Sequence, residues 1–216
     1  MCKGMTNQTS DSNIRVEDFT VLPAAPVVTV RCITYNHARY IAQAIEGFLM
    51  QQVDFPFEIL IGDDASTDGT AEIVRQYQAA HPELIRAVYQ VENQFSKGRR
   101  PWRELYFNLA RGRYIAVCDG DDYWSDPLKL QKQVNFLEAH PDYALCFHDA
   151  TILWDDASRA PQTLRPANLK QSYALEDLLV GNFIPMLTTL YRHRLFEMLP
   201  AWYLEMPIGD WPLHIL

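Results

Sequence analysis

The stretch CDGDDYW, residues 118–124, holds three aspartates within four positions: Asp119, Asp121 and Asp122. The run before it, RYIAV, reads as a buried strand, so the acids leave the core together. Carboxylates this close repel one another, and removing them from water adds to the cost. Hard divalent cations seek such oxygens. Mg²⁺ or Mn²⁺ typically takes one or two protein carboxylates and completes its shell with phosphates. Gly120 permits a sharp turn between Asp119 and Asp121. The same residues also fit an exposed acidic turn, with Asp126 capping a helix that opens at Pro127.

Two further polar clusters follow strand-like runs. In GDDASTDGT (62–70), Asp63 and Asp64 could accept from a ribose hydroxyl or a base N–H. They fit equally a strand-to-helix turn in which Asp, Ser and Thr satisfy backbone amides, and Asp68 reads as such a turn residue. In TYNH (34–37), the Tyr35 ring could stack on a base, and Asn36 could bind a ligand or turn the chain toward the next helix. His37 reads as exposed. The basic cluster SKGRRPWR (96–103) could take a phosphate or an anionic acceptor, or simply be a solvated loop.

Elements that place these clusters together can be read from periodicity. Apolar, β-branched runs at 27–33, 57–62, 84–90, 113–118 and 143–153 read as strands. Helical spacing occupies 38–52, 70–81, 103–112 and 126–140. Strand and helix alternate with short connections, the signature of a mostly parallel α/β sheet covered by helices on both faces. Ligands of such sheets bind at the carboxyl ends of the strands, where TYNH, DDASTDG and DGDD all fall. Residues 1–25 read as a loose N-terminal tail that packs only in part, and 155–172 as a loop.

Composition narrows the class. The 216 residues suffice for one domain, and the 48% hydrophobic content for a real core. A net charge of −8 argues against nonspecific nucleic-acid binding. Cys2, Cys32, Cys118 and Cys146 lack CxxC spacing, so zinc is not expected, and buried free thiols suggest a reducing, cytoplasmic compartment. Neither a signal-peptide core nor a run of roughly 18 apolar residues is present. Glycine-rich phosphate loops (GxxxxGKS/T, GxGxxG) and the GxSxG nucleophile elbow are missing. Phosphates bound here would therefore be held through a metal. The missing glycine loop also speaks against a nucleotidyltransferase.

Four segments, in order, resemble the family 2 glycosyltransferases of the GT-A fold. They are TYNHARYIAQAI, IGDDASTDGT, GRYIAVCDGDDYWSDPLKLQKQVNFLEAHPD and the late GDW, together covering about 27–212. The resemblance implies a single GT-A (Rossmann-like) domain over 26–216, cut short at its C-terminus. It implies an inverting enzyme with a nucleotide-diphosphate-sugar donor, UDP being favoured by family frequency, and a divalent Mn²⁺ or Mg²⁺. Its acceptor would be a glycan or a lipid-linked sugar in bacterial surface-polysaccharide synthesis, at the inner face of the membrane. By the same resemblance Tyr35, with Thr34 beside it, packs on the base, and Asp64 reads it, next to Asp63. DGDD matches the DxD motif: Asp121 on the metal, Asp119 on the ribose or a metal-bound water, Asp122 beside them. Asp210 matches the catalytic base, and Met186, Thr188 and Thr189 fall in the acceptor-side region, where core packing is the alternative. Gly209 stands where the family commonly has Glu, and family members usually continue beyond Leu216. Asp210 is therefore expected on a short, fraying terminus. A non-catalytic nucleotide-sugar binding module is the alternative reading.

Overall fold

The computed structural model describes residues 14–17, 25–98, 105–165, 170–196, 199–206 and 209–216. In chain order the first half comprises β1 (Ile14–Glu17), β2 (Val28–Thr34), α1 (Ile41–Leu49), β3 (Phe57–Asp63), α2 (Thr70–Ala80), β4 (Ile85–Gln90) and α3 (Leu105–Leu109). The second comprises β5 (Tyr114–Val117), α4 (Lys129–Ala139), β6 (Leu145–Cys146), β7 (Ala150–Ile152), β8 (Gln162–Leu164), α5 (Leu175–Val180), β9 (Leu190–Arg192), α6 (Ala201–Glu205) and α7 (Asp210–Ile215).

One seven-stranded sheet runs in the order β1-β4-β3-β2-β5-β9-β6. Its centre is parallel: β2 pairs with β3 and β5, and β3 with β4. On the flanks the pairing is antiparallel: β1 with β4, and β9 with β5 and with the edge strand β6. Alternation along β5 shows why the central strands read as continuous apolar runs. Tyr114 and Ala116 enter a core with Ile45 and Phe48 of α1, Val74 of α2 and Leu137 of α4. Ile115 and Val117 face the other way, onto Phe107 of α3, Tyr203 of α6 and Leu213 of α7. Both faces of the sheet are covered, as expected.

Three local expectations need correction. The helix expected from 126 begins at Lys129, because the Asp126 carboxylate first accepts the Leu128 amide at 2.9 Å and closes a turn. The strand expected over 143–153 breaks into β6 and β7, and β7 pairs with β8 in a separate ribbon. That ribbon takes its second strand from the segment read as a loop. Within the N-terminal tail, Ile14–Glu17 adds a strand along β4, occupying what would otherwise be an open edge.

Candidate functional site

Parallel register sets Thr34, the last residue of β2, opposite Asp63, the last of β3. Beyond β5 the chain continues along β2: the Cys118 amide donates to Arg31 O at 3.1 Å and the Gly120 amide to Ile33 O at 2.9 Å. A Cβ on Gly120 would lie 2.7 Å from Thr34 Oγ1 and 3.0 Å from Ile41 Cδ1, so the close approach requires glycine. Thr34, Asp63, Asp64 and the Asp119–Asp122 loop therefore share one edge, as the sequence suggested.

Trp124 fastens the acidic loop. Its indole N–H donates to Leu187 O at 2.9 Å, and its ring meets Phe48 edge-on at 4.9 Å. Gly47 sits against its backbone so closely that a Cβ would approach the Trp124 carbonyl to 2.9 Å. Gln51 then bridges the loop to α4, donating to Asp126 O at 2.9 Å and accepting the Leu130 amide at 3.0 Å.

Each acid has its own environment. Asp119 Oδ1 is enclosed and has no hydrogen-bond partner among the described residues. Burial pushes the Asp119 carboxyl up, Arg31 draws it back down, and Asp210 and Asp121 push it up again. Burial, then Asp121 and Asp119, push Asp122 up to about 6. Asp121 is half exposed, and its Oδ2 lies 3.8 Å from His37 Nε2. His37, read as merely exposed, instead faces this acid from a half-buried position, because its amide is tied to Thr70 Oγ1 at 2.8 Å.

Asp63 and Asp64 divide their work. Asp64 accepts the amides of Gln94 and Phe95, whereas Asp63 accepts the Ser66 amide through Oδ2 and leaves Oδ1 buried without a partner among the described residues. Asn36 takes a left-handed conformation, φ 53°, and its Oδ1 accepts the Thr67 amide at 2.8 Å, so it does turn the chain. Tyr35 beside it exposes 43% of its surface at the edge. Asp68 is the turn residue expected, bonded to Ala38 N, Thr70 N and Thr70 Oγ1.

Asp210 opens α7, and its charge is felt at both Asp119 and Tyr191. The expected fraying is not seen. Pro212, Leu213 and His214 are buried, Trp211 donates to Leu178 O at 2.7 Å, and His214 meets Asn182 Oδ1 at 3.1 Å. Thr188 and Thr189 are fully buried and donate to Pro185 O and Met186 O, which is core packing. Most of the basic cluster, residues 99–103, lies outside the described residues, as does Cys2. Lys97 pairs with Glu92.

Arg31 is the residue that sequence reasoning missed. It is 6% exposed, its guanidinium stands 5.2 Å over the Phe107 ring, and its charge reaches Asp119. The signal was a lone cation inside the apolar run VVTVRCI, where a buried charge demands a partner.

Among the described residues, no three His, Cys, Asp or Glu side chains converge as a metal cage. The enclosed, unpartnered Asp119 Oδ1 and the exposed Asp121 carboxylate instead fit a cation held by few protein oxygens and completed by phosphates.

A mostly parallel sheet with this acidic carboxyl edge has the GT-A fold, and the comparisons agree. The profile of the family described as "Glycosyl transferase family 2" matches residues 29–199, and the chain belongs to that family. It is 38% identical over 189 residues to an uncharacterised protein of Mycobacterium tuberculosis, Rv1520, covering 87% of this chain and 53% of that one. It is 32% identical over 157 residues to the Bacillus subtilis "putative teichuronic acid biosynthesis glycosyltransferase TuaG", covering 72% and 60%. Staphylococcus aureus TarS 1–349, solved with UDP-GlcNAc, shares the fold at TM-score 0.58 and 23% identity, covering 79% of this chain and 46% of that one. The chain spans about half the length of the first of these relatives.

Proposed function

We propose that this chain forms the donor site of an inverting glycosyltransferase that takes its sugar from a nucleoside-diphosphate sugar, UDP being the favoured carrier. One observation carries the reading: Thr34 Oγ1, Asp63 Oδ1 and Asp119 Oδ1, all at the carboxyl edge of the parallel strands, are enclosed without hydrogen-bond partners among the described residues. Acceptors held open at this edge suit the hydroxyls and N–H groups of a nucleotide. Tyr35 offers its exposed ring to the base. Asp63 offers its open oxygen, and Asp64 holds the 93–95 segment alongside.

Asp121, with Asp119 and Asp122 beside it, would hold Mn²⁺ or Mg²⁺. When bound, the metal supplies Lewis-acid neutralisation of charge on the departing nucleoside diphosphate. Asp210 removes the proton from an acceptor hydroxyl, whose oxygen attacks the anomeric carbon opposite the leaving group and inverts it. The acceptor proposed is a glycan or lipid-linked sugar in surface-polysaccharide synthesis, at the inner face of the membrane. The names of TuaG and of Escherichia coli WfaP, a glucosyltransferase acting on a diphosphoundecaprenol-linked sugar, support that class. Among the described residues no helix is long and apolar enough to cross a membrane.

Thermal melting with UDP, GDP, dTDP and CDP, each with and without Mn²⁺, tests the donor site. A nucleotide at about 100 times its Kd stabilises by about 2.7 kcal/mol, worth roughly 2–4 °C per kcal/mol at this size. One nucleotide should shift the wild type only with Mn²⁺, and Asp121→Asn should abolish the shift. Asp210→Asn should keep the shift and lower transfer by about 10²–10⁴-fold. Donor binding by the wild type with neither transfer nor hydrolysis would make it a binding module instead.

A further inference from the structure

The opposite end of the same strands carries a cleft lined with basic residues. The cleft, of about 430 Å³, is walled by Arg111, Arg113, Tyr114, Arg192, His193 and Arg194. Its volume falls within the usual range of ligand pockets. Tyr114 begins β5 and pairs with Arg192 at the end of β9, whereas the acidic loop follows the other end of β5. At about 3.3 Å per residue, Tyr114 and Asp119 stand roughly 16 Å apart along the strand. A ligand in this cleft is therefore not the diphosphate of a donor held at the acids.

Among the described residues the cleft holds more cation than carboxylates neutralise. No carboxylate among the described residues lines it, and two glutamates answer it from outside. Glu58 accepts from Arg111 Nε at 2.8 Å and from Arg86 at 3.5 Å, and Glu138 accepts from Arg113 at 2.8 Å. Arg192 is fixed by neutral acceptors: Leu137 O at 2.7 Å, Tyr143 O at 2.8 Å, His140 O at 3.1 Å and the Tyr114 hydroxyl at 3.3 Å. Its charge meets no carboxylate among the described residues, and neither does that of Arg194, which is exposed. Among the described residues four guanidinium groups of the lining thus stand against two carboxylates, one of which also serves Arg86, in a chain whose net charge is −8.

His193 lines the same cleft. Its two ring nitrogens face Gly112 O at 2.8 Å and Phe107 O at 2.9 Å. A neutral imidazole can donate to only one of these carbonyls, and the protonated ring donates to both.

We propose that this cleft binds a phosphoryl group, carried by a membrane-lipid headgroup or by a soluble phosphate. Guanidinium groups match phosphate oxygens; the exposed Arg194 is the one to present its fork, while Arg192, with four of its five N–H donors on fixed acceptors, adds a charge held in place. The inference is independent of the donor-site reading.

The test uses the whole chain without divalent metal, so that the acidic edge takes no part. Binding is measured by sedimentation with phosphatidylcholine vesicles, with and without phosphatidylglycerol, and by calorimetric titration with pyrophosphate. The variants are Arg194→Ala, Arg194→Lys and Arg113→Ala, with Asp121→Asn as control. We expect Arg194→Ala to bind about tenfold more weakly, as for loss of one charge-assisted contact. Arg194→Lys should recover part of the binding, and Asp121→Asn should match wild type. Sedimentation only with phosphatidylglycerol assigns the headgroup, and heat only with pyrophosphate assigns the soluble ligand. No binding of either probe overturns the proposal. So does binding undiminished in Arg194→Ala, whose exposed side chain leaves the fold intact.

Discussion

The carboxylate of Asp64 accepts the backbone amides of Gln94 at 2.8 Å and Phe95 at 3.1 Å, while its neighbour Asp63 keeps one buried oxygen open. Adjacent acids of one motif therefore differ in what their loss should do. Asp64→Ala strands two amides and should cost about 3 kcal/mol, a fall of roughly 6–12 °C in melting temperature. Asp63→Asn keeps shape and removes a buried charge, so melting should stay near wild type while the Mn²⁺-dependent nucleotide shift is lost. Melting curves with and without nucleotide separate the two.

Gly120→Ala should be destabilising out of proportion to one methyl group. The added carbon would press on Thr34 at 2.7 Å and on Ile41 at 3.0 Å, in a packed region. Overpacking of this kind costs about 1–3 kcal/mol. Gly98→Ala, where nothing lies within 4 Å of the new carbon but φ is 73°, should show conformational strain without a clash. Urea denaturation of both, with nucleotide binding measured alongside, should show binding lost only in Gly120→Ala.

Lys129 gives a pH dependence whose sign is fixed. Burial holds its ammonium down to about 7, against 10.5 in the open chain. Below pH 7 both states carry the proton and the full burial penalty applies. Above it the unfolded chain holds a proton that the folded chain has released, so stability rises with pH. Buried Cys32 and Cys118, raised above 9.0, oppose this at higher pH, which leaves 7 to 9 as the window. Lys129→Met should melt higher than wild type at pH 7 and lack the rise toward pH 9.

Glu58 anchors the end of the sheet remote from the acids. It is 1% exposed and accepts from Thr29 Oγ1, the Arg111 amide and Arg111 Nε at 2.7–3.0 Å. Glu58→Gln leaves Arg86 and Arg111 without their counter-charge and should cost about 3–5 kcal/mol. Chemical denaturation measures it, and Glu58→Leu combined with Arg111→Met should recover part of the loss.

What could be read in advance was whatever depends on local pattern. The run RYIAV, apolar on both faces, announced a central strand, and the rule for carboxyl edges brought Thr34, Asp63 and Asp119 together before any coordinates. Partnership across the fold was not legible. That Asp64 spends both oxygens on amides 30 residues away, or that His37 turns toward Asp121, depends on how loops pack, which no spacing encodes. Nor did sequence show that Pro212, Leu213 and His214 would bury the last turn behind Asp210, since six residues carry too little periodicity to indicate a face.

The grip of Gly47, Phe48 and Gln51 on Trp124 and Asp126 has a thermodynamic corollary. The carboxylates are ordered when the chain folds, so their loss of freedom is charged to folding and not to ligand capture. Loosening this grip should therefore lower both resistance to heat and affinity for the proposed metal-nucleotide complex. Trp124→Phe, which removes the indole bond to Leu187, should weaken nucleotide binding in step with the fall in melting temperature, although Trp124 need never touch the nucleotide.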